Sequence, residues 1–189
     1  DMGLARLADA ALTILAISAG VVGGLLIGGT GLPLTATTDA IPLWLDVLAA
    51  AVLAMCYPVY FSMPIRTFGW AFLAGGLAHA AHWVALTWWH WNAPASSLLA
   101  CLVAGGLLTP VCHSRHIPFA GAGFAAVVAL VPGVYLFRAA AGTLSLVGKA
   151  HAEAVLEATA SDLATAIAIV LAMAVGLVVP HRIRIRLAR

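Results

Sequence analysis

Few side chains in this sequence can do chemistry, and His79 and His82 come first. Three residues apart, they share one face of any helix that carries them. The run around them, Phe68 to Trp88, is otherwise mostly apolar, and an ionisable group inside such a run is costly enough to point to a role. A histidine titrates near neutral pH, so His79, with His82 beside it, is a candidate to take up and release a coupling proton. His82 also lies near Trp88, Trp89 and Trp91, where an interfacial histidine needs no special role. Both readings stay open.

A second candidate is the stretch from Ala129 to Arg138, with Pro132-Gly133 deep in an apolar segment. Proline followed by glycine frees carbonyls of the preceding turn and starts a new helix. Inside a bilayer such backbone is tolerated only where protein or a wet cavity satisfies it. A half-helix starting near Gly133 would aim its positive end inward, which suits a carboxylate. Arg138, one turn on, can add a bidentate, charge-assisted contact. Pro132, Gly133 and Arg138 are therefore the candidate substrate-binding residues. The plainer alternative is a kink, with Arg138 reaching the outer interface.

The remaining polar groups point elsewhere. Cys112-His113-Ser114-Arg115-His116 lacks a second cysteine pair, so no metal site is expected. Asp9 and Asp46 open apolar runs and read as helix-start carboxylates. There is no Ser–His–Asp order, Gly-rich phosphate loop or usefully spaced carboxylate pair, so neither an enzyme nor a cofactor is expected.

The elements that position these groups follow from composition. Of 189 residues, 63% are apolar and 8% charged, with a net charge of +2 and a mean hydropathy of +1.07. Soluble domains carry about a quarter charged residues, so soluble enzymes and disordered tails are excluded. The small net charge argues against a nucleic-acid partner. Three cysteines without a CxxC pair exclude a disulfide scaffold.

A spanning helix needs about 20 mostly apolar residues. Six stretches fit, at 8–32, 43–61, 68–88, 96–111, 119–137 and 163–179, with Pro33, Pro42, Pro94 and Pro118 at the breaks. The expectation is an all-α polytopic transmembrane bundle of about six spans. The fourth span is short and the fifth is broken at Pro132-Gly133. Gly20, Gly24 and Gly28 predict a packing seam on the first span, and Gly75-Gly76 and Gly105-Gly106 extend that style. If the spans alternate, Arg6, Arg66, Arg115, Arg182, Arg184, Arg186 and Arg189 share one side. Only Arg138 and Lys149 lie on the other, with Asp39, Asp46, Glu153, Glu157 and Asp162. This bias predicts a multi-pass protein of the cytoplasmic membrane with both termini inside, its basic tail a phospholipid anchor.

The order Phe61-Ser-Met-Pro-Ile-Arg-Thr, Gly75-Gly76, Thr109-Pro110, Ile117-Pro118 and Leu130-Val-Pro-Gly-Val-Tyr-Leu-Phe-Arg resembles the C-terminal domain of the threonine/serine exporter family. The opening Gly3-Leu-Ala-Arg-Leu, with its Gly-rich span, looks like the last helix of the preceding domain. The resemblance implies a ten-helix transporter of two five-helix halves. In that frame residues 1–34 end the first domain, and 35–189 form the second with its short basic cytoplasmic tail. Pro132 and Gly133 match the family signature, with Pro110 and Pro118 as secondary matches.

The resemblance also implies export of small amino acids, driven by the proton gradient. Relatives split into two polypeptides are linked to succinate export. The expected partners are a small amino-acid or carboxylate substrate, the bilayer, and either a missing first half or a partner subunit, in an oligomer. The alternatives are one subunit of a two-component dicarboxylate exporter and a non-transporting membrane scaffold.

Overall fold

The computed structural model describes residues 2–28, 42–146 and 152–187. Leu32, Pro33, Asp39, Lys149 and Arg189, named above as span limits, breaks or topology charges, lie outside the described residues. The described chain is helical: α1 (Met2–Ile27), α2 (Leu43–Tyr60), α3 (Arg66–Thr87), α4 (Ala93–Arg115), α5 (Phe119–Val127), α6 (Gly133–Leu146) and α7 (Ala152–Leu187). Four of these, α1, α2, α4 and α7, are long and apolar enough to cross a membrane. The broken pair α5–α6 makes a fifth. α3 has 22 residues, about 33 Å at 1.5 Å per residue, but two histidines, three glycines and two tryptophans make it less apolar. Large side chains such as Leu7, Leu77, Val170 and Leu171 are exposed, as a lipid-facing surface requires. This is an all-α polytopic transmembrane bundle, broken at Pro132-Gly133.

The chain divides into two compact units. In the first, formed by residues 1–38 and 132–167, α1 packs on α6. Ser18 of α1 is buried, whereas a Cβ added at Gly20 or Gly24 would meet nothing within 4 Å. The predicted glycine seam of the first span is therefore not a contact in this unit, and α1 uses another face. Asp9 is not a helix start either, because α1 begins at Met2 and carries Asp9 in its interior. The close approach lies between α6 and α7, where Gly142 faces Thr159 so tightly that any Cβ would strike the Thr159 hydroxyl.

The second unit comprises residues 39–131 and 168–189. α3 packs against α2, α4 and α5, burying Thr67, Ala71, Ala74, Ala78 and Ala85 at the spacing of one helical face. Ala74 and Ala78 share one core cluster with Ala100, Cys101, Ala104 and Leu108 of α4 and Ala122 and Ala126 of α5. Gly75 sits against the Ala54 methyl group, and a Cβ at Gly76 would come within 3.3 Å of Ala51.

α4 runs for 23 residues, longer than the short span expected. Pro94 occupies its first turn, where no N–H is needed, and the Asn92 side chain caps it by accepting from Ala95 N–H at 3.0 Å. His116, left-handed at φ 54°, closes the other end.

In this unit α7 meets α4 at Gly176, where a Cβ would lie 2.6 Å from Cys101 Cβ and 2.9 Å from the Leu98 carbonyl. Gly176→Ala is expected to push the helices apart at a cost of about 1–3 kcal/mol, read as a lower unfolding midpoint in detergent. Gly106→Ala, with nothing within 4 Å, is the matched control and should leave the midpoint unchanged.

Candidate functional site

In the second unit Asp46 stands in the first turn of α2 and His79 on the inner face of α3. Asp46 is at a helix start as expected, but its side chain does not cap the helix. The cap position is Pro42, without a side-chain hydrogen bond, and the Asp46 carboxylate instead lies 3.1 Å from His79 Nδ1. An ionised carboxylate only accepts, so Nδ1–H donates to it, and Nε2 carries a lone pair if the ring is neutral or a second N–H if it is protonated. That Nε2 is buried with no partner among the described residues, as is Nδ1 of His82. The two rings lie 6.0 Å apart, centre to centre. The spacing that predicts a shared face is thus realised, and a carboxylate joins the pair.

This group suits proton handling. Neutral His79 leaves a buried acceptor unsatisfied, and protonated His79 leaves a buried donor unsatisfied while strengthening its pairing with Asp46. Either state changes what Nε2 needs from a neighbour. A bond network whose demand switches with one proton can couple protonation to packing.

In the first unit Pro132 is buried and Gly133 opens α6. The first intrahelical bond runs from Leu136 N–H to the Pro132 carbonyl, at 3.1 Å. The amides ahead of it have no acceptor in their own helix. A Cβ at Gly133 would meet only the Phe137 ring, at 3.8 Å, so crowding in this unit does not itself demand glycine there.

Arg138, in the second turn of α6, points its Nε at Asp162 Oδ2 on α7, 3.0 Å away. Asp162 is 8% exposed. The structure therefore places Gly133 and Arg138 on one short helix, with Pro132 immediately before it, and adds a carboxylate facing the arginine. Asp46 and Asp162 are the residues whose pairing sequence reasoning missed. The available signal was scarcity: an ionisable group in an apolar helix needs a partner, and few acids were there to supply it.

A family model described as threonine/serine exporter, ThrE, matches residues 46–183. No curated protein and no solved structure matches the chain. The matched stretch is well over half of the sequence, begins at Asp46 and takes in both ion pairs and the Pro132-Gly133 break. With its apolar helices, this chain belongs to the threonine/serine exporter family, a family of membrane transporters.

Proposed function

We propose that this chain is the second part of a secondary exporter that moves threonine or serine outward across the cytoplasmic membrane, driven by the proton gradient. Residues 1–34 then correspond to the last helix of a first domain and 35–189 to the second, with both termini in the cytoplasm. The remaining helices come from a preceding segment or a partner subunit.

The observation that carries the substrate reading is the pair between Arg138, on the helix that follows the break, and Asp162 of α7. An amino acid is a zwitterion, with a carboxylate for a guanidinium and an ammonium for a carboxylate. A site that already holds one cation and one anion at hydrogen-bond distance is complementary to both ends. A dicarboxylate would meet Asp162 with like charge, which costs binding. His79, paired with Asp46, is the proton carrier in this scheme, with His82 beside it.

The test is efflux from proteoliposomes that contain the chain with any polypeptide that copurifies with it. Saturable efflux of threonine and serine, abolished by collapsing the proton gradient, is expected. Saturable succinate efflux without threonine efflux would replace this reading by a dicarboxylate exporter, and no saturable flux would leave a scaffold.

A further inference from the structure

The end of α4, the start of α5 and the last turns of α7 surround a cleft of ≈ 1250 Å³ in the second unit. Its walls are largely apolar, with Ile117, Phe119, Phe124, Leu177 and Val178 among them. Its ionisable lining is basic: His113, His116, His181 and Arg184 contribute, and no acidic residue does among the described residues. His113, His116 and Arg184 are exposed, while His181 stacks on the Phe119 ring at 4.5 Å and 12°.

Two further observations point to a polar ligand. Thr109, a wall residue only 5% exposed, has a hydroxyl with no partner among the described residues. The first turn of α5 also opens on the cleft, and its cap residue Pro118 offers no side-chain hydrogen bond. The leading amides of that turn lack a helical acceptor and carry the positive end of the dipole.

Apolar walls with exposed cationic side chains among them are the complement of an amphiphile with an anionic head. A small soluble anion has no use for the apolar walls, and a zwitterionic lipid gains little from the excess positive charge. Basic pockets between the ends of transmembrane helices favour anionic headgroups for this reason. Independently of the transport reading, we propose that this cleft binds an anionic phospholipid. The acyl chain lies along Phe119, Phe124 and Leu177, and the phosphate lies between Arg184, the histidines and the start of α5.

The experiment is native mass spectrometry of the full chain in an uncharged detergent, titrated with phosphatidylglycerol or phosphatidylcholine of matched chains. Phosphatidylglycerol should be retained in preference by roughly tenfold, the scale set by one or two cationic contacts at a membrane surface. The double variant Arg184→Gln/His113→Gln should lose most of that preference. Both residues are exposed, so its unfolding midpoint should match the wild type. Arg186→Gln, on the same tail but outside the cleft lining, should keep the preference.

Equal retention of the two lipids would overturn the proposal, as would a double variant that still prefers phosphatidylglycerol. Equal loss in Arg186→Gln would reduce the effect to diffuse charge. Displacement of the lipid by inorganic phosphate at comparable concentration would make the cleft a soluble-anion site. Lipid binding that disappears when two chains associate would show that a second copy fills it.

Discussion

Arg138→Gln and Asp162→Asn should each destabilise the first unit and stop export, while the double variant recovers the fold and not the flux. Asp162 is 8% exposed and its carboxylate lies 3.0 Å from Arg138 Nε. Asp162 is the buried member, and the Arg138 side chain is partly exposed. The larger loss is therefore expected when Arg138 is removed and the Asp162 carboxylate is left buried without this partner, at a cost of up to about 3–5 kcal/mol. For a chain of this size that lowers the unfolding midpoint by roughly 10 °C. Removing both charges removes the penalty, so the double-mutant cycle should return most of the loss as coupling energy.

Transport separates the two roles of the pair. If Arg138 meets the substrate carboxylate, the folded double variant lacks a charge-assisted bond worth about 1.5–3 kcal/mol. Threonine efflux should then fall by roughly 10- to 150-fold. A double variant that is stable and exports threonine with unchanged rate and affinity would reduce the pair to a structural clamp between α6 and α7.

The second large effect is expected at His79. His79→Gln keeps a side chain able to donate to Asp46 but removes the titrating ring. In the wild type, acidifying the outer solution by about one pH unit supplies about 1.4 kcal/mol per proton, enough to raise efflux up to roughly tenfold. His79→Gln should lose that acceleration and retain threonine–threonine counterflow, which needs no net proton movement. Asp46→Asn, which leaves the ring in place beside a neutral partner, should weaken the response and not abolish it. Efflux that still follows the gradient in His79→Gln would move the proton site elsewhere in the transporter.

The helices were the legible part of this sequence, because apolar runs of bilayer length punctuated by prolines admit few other structures. The errors came where one residue type serves two purposes. Pro94 marks a break as expected, sitting in the first turn of α4, whereas Pro110 is carried inside the same helix without ending it. Gly20 and Gly24 have the spacing of a seam but meet nothing within 4 Å, whereas Gly176 and Gly142 do pack tightly.

The candidate site was legible by half. Spacing placed His79 and His82 on one face and marked the break at Pro132-Gly133. Periodicity says which way a side chain points and not which helix stands opposite. Asp46 and His79 are 33 residues apart, and only the packing of α2 on α3 brings them together. Asp162 meets Arg138 for the same kind of reason, through the approach of α6 to α7.

The interior of the second unit is built chiefly of alanine: Ala50, Ala54, Ala71, Ala74, Ala78, Ala100, Ala104, Ala122 and Ala126 are all at most 4% exposed. A methyl group has no rotamer to freeze, so these contacts gain dispersion energy without side-chain ordering entropy. That matters in lipid, where helix association receives little hydrophobic help. It also makes the tolerance of this interior one-sided. Almost any replacement at these positions adds volume to a space already filled by backbone, so random variation there should deplete larger residues far more strongly than it depletes glycine.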